Sequence, residues 1–485
     1  MPALPDRPPE WVADAVFYQI FPDRFARSGR VAQPGNLEPW ESPPTHHGYK
    51  GGDLIGIAER LDWIEDLGAN AIYLNPIFRS GSNHRYHTHD YFVVDPLLGG
   101  DEGFDRLMES CRSRGIRVVL DGVLNHASRG FFPFHDIMEN GARSPWIEWF
   151  HVNGFPMRAY EEDRPPNYAA WWGLHALPKF NTENPQVVEY LYSVGEHWAR
   201  RGIDGWRLDV PTEISTPGFW EGFRQRVRAV NPDLYIVGEI WEHATDWIAR
   251  GDRFDATMNY LFGGWTLAFT IGGEIDSELA RGLHYPITPP LDAATYGAAV
   301  ERLLDIYPDH ANRANLNLLG SHDTPRVLSL ARGDVTAVVL AMVLLLTFPG
   351  APCIYYGDEI GLEGGQEPES RAAFPWNDPG DWSTGILSSV RSLVALRHAH
   401  PALRHGTYLR LPTGSGAGLH WFLLDHPEER VVVAVNAGRD AASVATQSIG
   451  DRFETLWGFG GIATDGGTTR AALGPRSAAV WLAER

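Results

Sequence analysis

The chain has 485 residues, 44% of them hydrophobic, and a formal net charge of −20 from 41 Lys plus Arg against 61 Asp plus Glu. That length fits one large domain with a smaller companion, and the acidic surplus argues against nucleic acid or an anionic membrane as a partner. Cys111 and Cys353 sit in apolar segments of helical and strand character, which reads as reduced, buried thiols and not as a disulfide framework.

From the N-terminus, MPALPDRPPEWVADAV carries prolines and acids where a leader would carry a basic stretch and an apolar core, so a cytoplasmic location is expected. A strand-like AVFYQIF (15–21) precedes the helically spaced LIGIAERLDWIEDLG and a second run, AIYLNP (71–76). GFDRLMESCRSRG then leads to IRVVLDGV (116–123). About 60 residues from His126 to Glu183, rich in Pro, Trp and Asn, separate this third strand from its helix PQVVEYLYSVGEHWARRG, far more than a usual connection. They read as an inserted subdomain beside the mouth. IDGWRLDV (203–210), LYIVGEIW (234–241), FDATMNY (254–260), NLNLLGSHD (315–323) and APCIYYGDE (351–359) complete eight strand-like runs. VTAVVLAMVLLLTF (335–348) falls short of the about 20 residues that span a bilayer and reads as a buried helix.

Strands alternating with helices predict an α/β fold, a parallel (β/α)8 TIM barrel. Residues 1–125 and 184–400 are assigned to the barrel and 126–183 to the insertion. Beyond residue 400, GLHWFLLDH, RVVVAVNAG and AAVWLAER alternate as antiparallel strands do, so 401–485 is assigned to a C-terminal β-sandwich.

In such barrels, polar groups at the C-terminal ends of strands read as catalytic. Asp209, Glu239 and Asp323 occupy those ends on strands four, five and seven. A lone Asp there is more often a helix cap or a structural ion pair, but four acid- or imidazole-tipped strands in one chain point to a distributed active site. Converging carboxyls raise one another's pKa and so supply a proton donor beside an ionised nucleophile, the division of labour that glycoside hydrolysis needs. Arg207 shares a strand face with Asp209 and can hold it ionised, while Asp121 reads as a brace for Arg207 or for the loop after strand three. His126 and His322 are placed to donate to sugar hydroxyls. Tyr86, Trp171, Trp172, Phe180 and Trp241 are candidates for stacking on sugar faces, although most of the 18 Trp belong to packing. His84, His87 and His89 complete no ligand set of zinc spacing, so no metal is assigned.

DGVLNH, GWRLDV, GEIW and GSHD, in that order and spacing, resemble the four signature regions of the α-amylase superfamily, glycoside hydrolase family 13, over a stretch from FYQIFPDRF at 17 through GDE at 357 to 359. The resemblance implies a retaining mechanism. Asp209 would be the nucleophile, Glu239 the general acid and then base, and Asp323 the stabiliser of a distorted sugar. Arg207, His126, His322 and Tyr86, the last in SNHRYHTHDY, would line the subsite of the attacked glucose. The Asp209 and Glu239 carboxyls would then lie about 5 to 5.5 Å apart. LPKFNTE (177–183), NLLGSHDTPR and GDRFDATMNY resemble neopullulanases, cyclomaltodextrinases and maltogenic amylases. That group implies an α-glucan substrate cut at α-1,4 and in some members α-1,6 bonds, in maltooligosaccharides, cyclodextrins, pullulan or starch, often with transglycosylation. EPESRAAFPW resembles the group's loop in which an Arg, here Arg371, contacts sugars beyond the cleavage subsite; Phe180, Trp241 and Glu213 complete the substrate-binding candidates.

Departures from the group bear on specificity. Strand one begins near residue 15, so the group's N-terminal β-domain is expected to be absent, leaving a monomer or a dimer formed without it. Val210, Pro211, Thr212 and Glu213 replace the usual Ala-Asn-Glu ending, Glu242 stands where His is common and Glu367 where Asp is usual. ARSGRVAQPGNLEPW lacks the Asp and Asn density of the group's calcium loop, so no cofactor is required and calcium is unsupported. Two alternatives stand: a glucanotransferase or glucosyl-isomerising enzyme using the same covalent intermediate, and a non-catalytic glycan-binding protein on the same fold.

Overall fold

The computed structural model describes residues 7–161, 163–413 and 418–484. Eight short parallel strands close into a barrel: β1 Phe17–Ile20, β2 Ala71–Leu74, β3 Arg117–Gly122, β4 Gly205–Leu208, β5 Tyr235–Gly238, β6 Ala256–Asn259, β7 Leu316–Leu318 and β8 Ala351–Tyr355. Spatial order follows chain order, and β8 returns to β1 through the pair Phe17↔Cys353. Parallel strands need crossover connections, and these are the helices on the outside. Among the described residues, no helix is long and apolar enough to cross a membrane.

The two faces of each strand divide the work. On β4, Trp206 and Leu208 are buried in the apolar core, whereas Gly205 and Arg207 alternate to the other face. Register then brings polar groups together: Asp121 of β3 lies opposite Arg207 of β4, and Arg207 opposite Val237 of β5. Neighbouring strands run about 4.8 Å apart, so side chains opposite each other on one face are within reach of a direct bond.

Between β3 and the helix Pro185–Arg200, the inserted segment is held by an aromatic cluster that includes Phe131, Phe134, Trp149, Phe150 and Phe180. Residues 178–180 form its central strand-like piece. They pair with the barrel side through His126↔Lys179 and with the insertion through Ala170↔Pro178 and Phe150↔Phe180.

The C-terminal strands form a five-stranded sheet, in the order 407–410, 419–425, 430–436, 477–483 and 453–458, and a three-stranded sheet of 442–447, 468–473 and 461–465. Alternation again sorts the faces. Phe422, Leu424, Val431, Val433 and Val480 join the barrel core, while Trp421, Leu423, Val432 and Trp481 pack with Val444, Ala471 and Leu473 of the smaller sheet.

The segment around Tyr86 closes a hairpin of Phe78–Ser80 with Thr88–Val94. One local feature differs from the sequence reading: strand β7 ends at Leu318, five residues before Asp323. A Ser-Thr turn carries the chain onward: Ser321 N donates to Thr324 Oγ1 at 2.9 Å and Thr324 N to Ser321 O at 3.2 Å. Side-chain hydroxyls that bond nearby backbone end strands in this way.

The helix Tyr260–Thr270 lies directly on β7, and a Cβ at Gly263 would sit 2.2 Å from the Leu318 carbonyl oxygen. Gly263→Ala therefore forces helix and strand apart, and a loss of about 1 to 3 kcal/mol is expected. A thermal melt checks this: Tm falls in the variant, whereas an unchanged Tm would mean that the contact yields freely.

Candidate active site

A single cation organises the C-terminal end of the barrel. The Arg207 side chain is fully buried, and its Nη1 donates to Asp121 Oδ1 at 2.8 Å and to Asp209 Oδ1 at 2.9 Å. Nη2 lies 3.0 Å from Glu239 Oε1 but out of line for a hydrogen bond, so that contact is electrostatic. Nε points at Met258 Sδ, 3.4 Å away. Asp209 directly follows β4 and Glu239 directly follows β5. Their backbone N–H groups extend the ladders to Gly122 O and Leu208 O, so both carboxyls are fixed by strand geometry.

Glu239 has two donors of its own. Trp241 Nε1 reaches Oε1 at 3.1 Å, and Val210 N reaches Oε2 at 3.0 Å. Val210 adopts φ 34, ψ 53, a left-handed conformation that a β-branched residue avoids and that costs on the order of 1 to 3 kcal/mol. The turn joins the nucleophile candidate to the acid candidate through one residue.

A second network joins the acids to the β1 and β2 ends. Tyr73 Oη and Tyr86 Oη each donate to Asp121 Oδ2 at 2.8 Å. His322 Nδ1 lies 3.0 Å from Gln19 Nε2 and 3.1 Å from Asn75 Nδ2. Two amide donors make Nδ1 an acceptor and leave the ring proton on Nε2. Nε2–H points at Tyr86 Oη, 2.6 Å away, and lies 3.1 Å from Asp323 Oδ2. Asp323 also accepts from Arg371 Nη2 at 3.1 Å.

Burial pushes the Asp209 carboxyl well above its ordinary range and raises Glu239 and Asp121 as well, while Arg207 pulls all three down. One positive charge among three carboxyls does not balance them, so the group tends to retain a proton. Burial also drives both imidazoles down: His126 to about 3, and His322 well below its usual value with Arg371 and Arg207 adding to the effect. Both rings are neutral, and among the described residues His126 Nε2 is buried without a hydrogen-bond partner.

The structure brings Asp209, Glu239, Asp323, Arg207, Tyr86 and His322 into one cluster, with Asp121 beneath Arg207 as the sequence suggests. Other candidates land differently. Phe180 is not a platform at the mouth: it is 4% exposed and stacked on Phe150 at 5.5 Å, because LPKF is the central strand of the insertion. Trp241 stacks on Tyr260 at 3.7 Å and orients Glu239 through its indole N–H. Arg371 is buried, with Nε on His322 O, Nη1 on Glu367 and Nη2 on Asp323, so it engages the acid cluster itself. Glu213, farther out, pairs with Lys179 Nζ at 2.7 Å and so ties the insertion to the β4 loop. Sequence reasoning missed Gln19, Tyr73, Asn75, Tyr260 and Glu359. A polar residue inside an apolar run, as in FYQIF and AIYLNP, was the available signal for Gln19 and Asn75; the tyrosines gave none.

With this geometry in view, comparison with known proteins defines the class. The alpha amylase catalytic-domain family matches residues 19–383. The chain belongs to the α-amylase family and is a glycoside hydrolase of that type. It is 42% identical to a cyclomaltodextrinase of Geobacillus thermopakistaniensis (strain MAS1) over 438 residues, 90% of this chain and 71% of that one. Among solved structures, the debranching enzyme of Nostoc punctiforme in its native form superposes with TM-score 0.90 at 47% identity, covering 98% of this chain and 99% of that one. A cyclic α-maltosyl-(1→6)-maltose hydrolase of Arthrobacter globiformis, complexed with its namesake sugar, superposes at 0.86 with 40% identity, covering 98% and 100%.

Glu359, just beyond β8, is fully buried, with no cation beside it among the described residues. It accepts from Tyr18 Oη at 2.6 Å, Gly357 N at 2.8 Å and Trp63 Nε1 at 3.3 Å, and burial pushes its pKa up from 4.5 to about 7. The folded protein therefore holds this proton more tightly than the unfolded chain, so the group favours folding at low pH and that preference is lost as pH rises through about 7. Glu359→Gln removes the titration. Wild type should lose about 3 kcal/mol relative to the variant between about pH 5 and pH 8. Denaturant unfolding across that range measures it, and parallel stability curves would contradict it.

Proposed function

We propose that the protein is a retaining α-glucan hydrolase, with Asp209 as nucleophile, Glu239 as acid and base, and Asp323 as the group that holds the attacked glucose in its distorted form. The observation that carries this reading is the single Arg207 guanidinium in contact with both Asp209 and Glu239. Two carboxyls held on neighbouring nitrogens of one guanidinium favour the close spacing of a retaining pair over the wide spacing of an inverting one. The directed, charge-assisted bond from Arg207 works against the burial that raises Asp209 and favours the ionised form that a nucleophile needs.

In the first step, Asp209 attacks the anomeric carbon, the glycosidic C–O bond breaks, and Glu239 delivers its proton to the departing oxygen. In the second, Glu239 takes a proton from water, which attacks the same carbon and releases Asp209. Asp323, braced by Arg371 and the neutral His322, faces the ring, and the unpaired Nε2 of His126 offers a contact for a sugar hydroxyl. Tyr86 would flank the same glucose.

For substrate, the resemblance of LPKFNTE and the named activities of the relatives favour α-1,4 bonds in maltooligosaccharides and cyclodextrins, with α-1,6 bonds accepted and some transfer to sugar acceptors. The proposed division of the chain is a barrel of 1–125 and 184–400, an insertion of 126–183 and a C-terminal domain of 401–485. Cys111 and Cys353 are buried and unpaired, in keeping with a reducing, cytoplasmic compartment.

Asp209→Asn tests the nucleophile. Turnover of maltotriose and cyclodextrin should fall by about four orders of magnitude or more, with Tm and sugar binding retained, while wild type should release the α-anomer first. Substantial residual turnover, or first release of the β-anomer, would overturn the assignment.

A further inference from the structure

The insertion turns back toward the barrel at Trp171, Trp172, Gly173 and Leu174. Leu174 N donates to Trp171 O at 2.9 Å. Both central residues have positive φ: Trp172 has φ 50 and ψ 21, and Gly173 has φ 72. Tight turns of this hand select Asn-Gly, Asp-Gly or Gly-Gly, because a bulky residue crowds the left-handed backbone. Gly173 fits that requirement and Trp172 does not.

Burial does not account for the tryptophan either, since Trp172 is 74% exposed. Its indole lies flat on Trp171, with centroids 4.5 Å apart and planes within 11°. Trp171 lies in turn on His126 at 5.4 Å and 22°. The stack leads in two steps from the imidazole at the end of β3 to an indole whose outer face meets solvent. A strained residue that neither turn chemistry nor packing selects is a candidate for function.

We propose that Trp172 is a specificity-determining residue, a stacking platform for a glucose ring of the glucan chain that lies outside the subsite beside His126. The apolar face of a pyranose matches an open indole face, and the stack beneath keeps that face in one orientation. The inference rests on the α-glucan reading above. It adds that substrates long enough to reach the platform are favoured over those that fill only the sites beside the acids.

The test uses Trp172→Asn, which suits the turn better than Trp does, together with Trp172→Phe. Kinetics are measured on maltotriose and maltoheptaose. In Trp172→Asn, kcat/KM for the longer sugar should fall about tenfold, chiefly through KM, with maltotriose unaffected and Tm equal to or above wild type. Trp172→Phe should keep most of the preference. An equal loss on both sugars with a lower Tm would assign the residue a structural role and overturn the proposal. Unchanged length selectivity with altered self-association would overturn it in favour of a protein contact. Wild-type cleavage of maltotriose is the control: its absence sinks the parent reading and the platform with it, whereas its presence with unaltered selectivity in the variant sinks the platform alone.

Discussion

One buried guanidinium has to serve three carboxyl groups, and the C-terminal end of the barrel is arranged around that requirement. Arg207 is held from below by Asp121, its register partner on the neighbouring strand, and meets Asp209 and Glu239 above. Removing a charge from water is costly unless it is paired, so the buried acids depend on Arg207 as Arg207 depends on them. The imbalance of one cation against three carboxyls is itself useful, because it keeps a proton within the group. An acid and an ionised base can then coexist a few ångströms apart.

The remaining groups set the directions in which this cluster can act. Tyr73 and Tyr86 occupy the second oxygen of Asp121, and the Gln19 and Asn75 amides fix the tautomer of His322, which faces Tyr86 and Asp323. The strained Val210 turn and the Trp241 indole clamp Glu239. Lys179 and Glu213 tie the insertion to the β4 loop by an ion pair that is partly exposed and therefore weak. The mouth is thus fastened mainly by the aromatic packing and strand-like pairing of the insertion.

Much of the barrel is legible in the sequence because parallel strands buried on both faces read as short apolar runs, and an acid at the end of such a run stands out. Asp209 and Glu239 are visible for that reason. Asp323 is visible as an acid but not in its setting, since its position depends on hydroxyls in a turn five residues past β7. Aromatic roles are the least legible. Phe180, Trp241 and Trp172 all look alike in a chain with 18 Trp and 22 Phe, yet one packs the insertion, one orients Glu239 and one faces solvent. Only pairing and exposure separate them, and both arise from contacts distant in sequence. The tyrosine and amide network beneath the acids has the same origin.

The dependence of the acids on Arg207 is tested most directly by the pH profile of kcat/KM in wild type and in Arg207→Lys. A lysine keeps the charge but cannot bond two carboxyls through a planar fork. The account predicts that kcat/KM falls by two orders of magnitude or more, roughly the loss of one preorganised charge contact, and that the acid limb of the profile moves to higher pH as Asp209 loses its directed partner. An acid limb that stays in place with activity largely intact would contradict it.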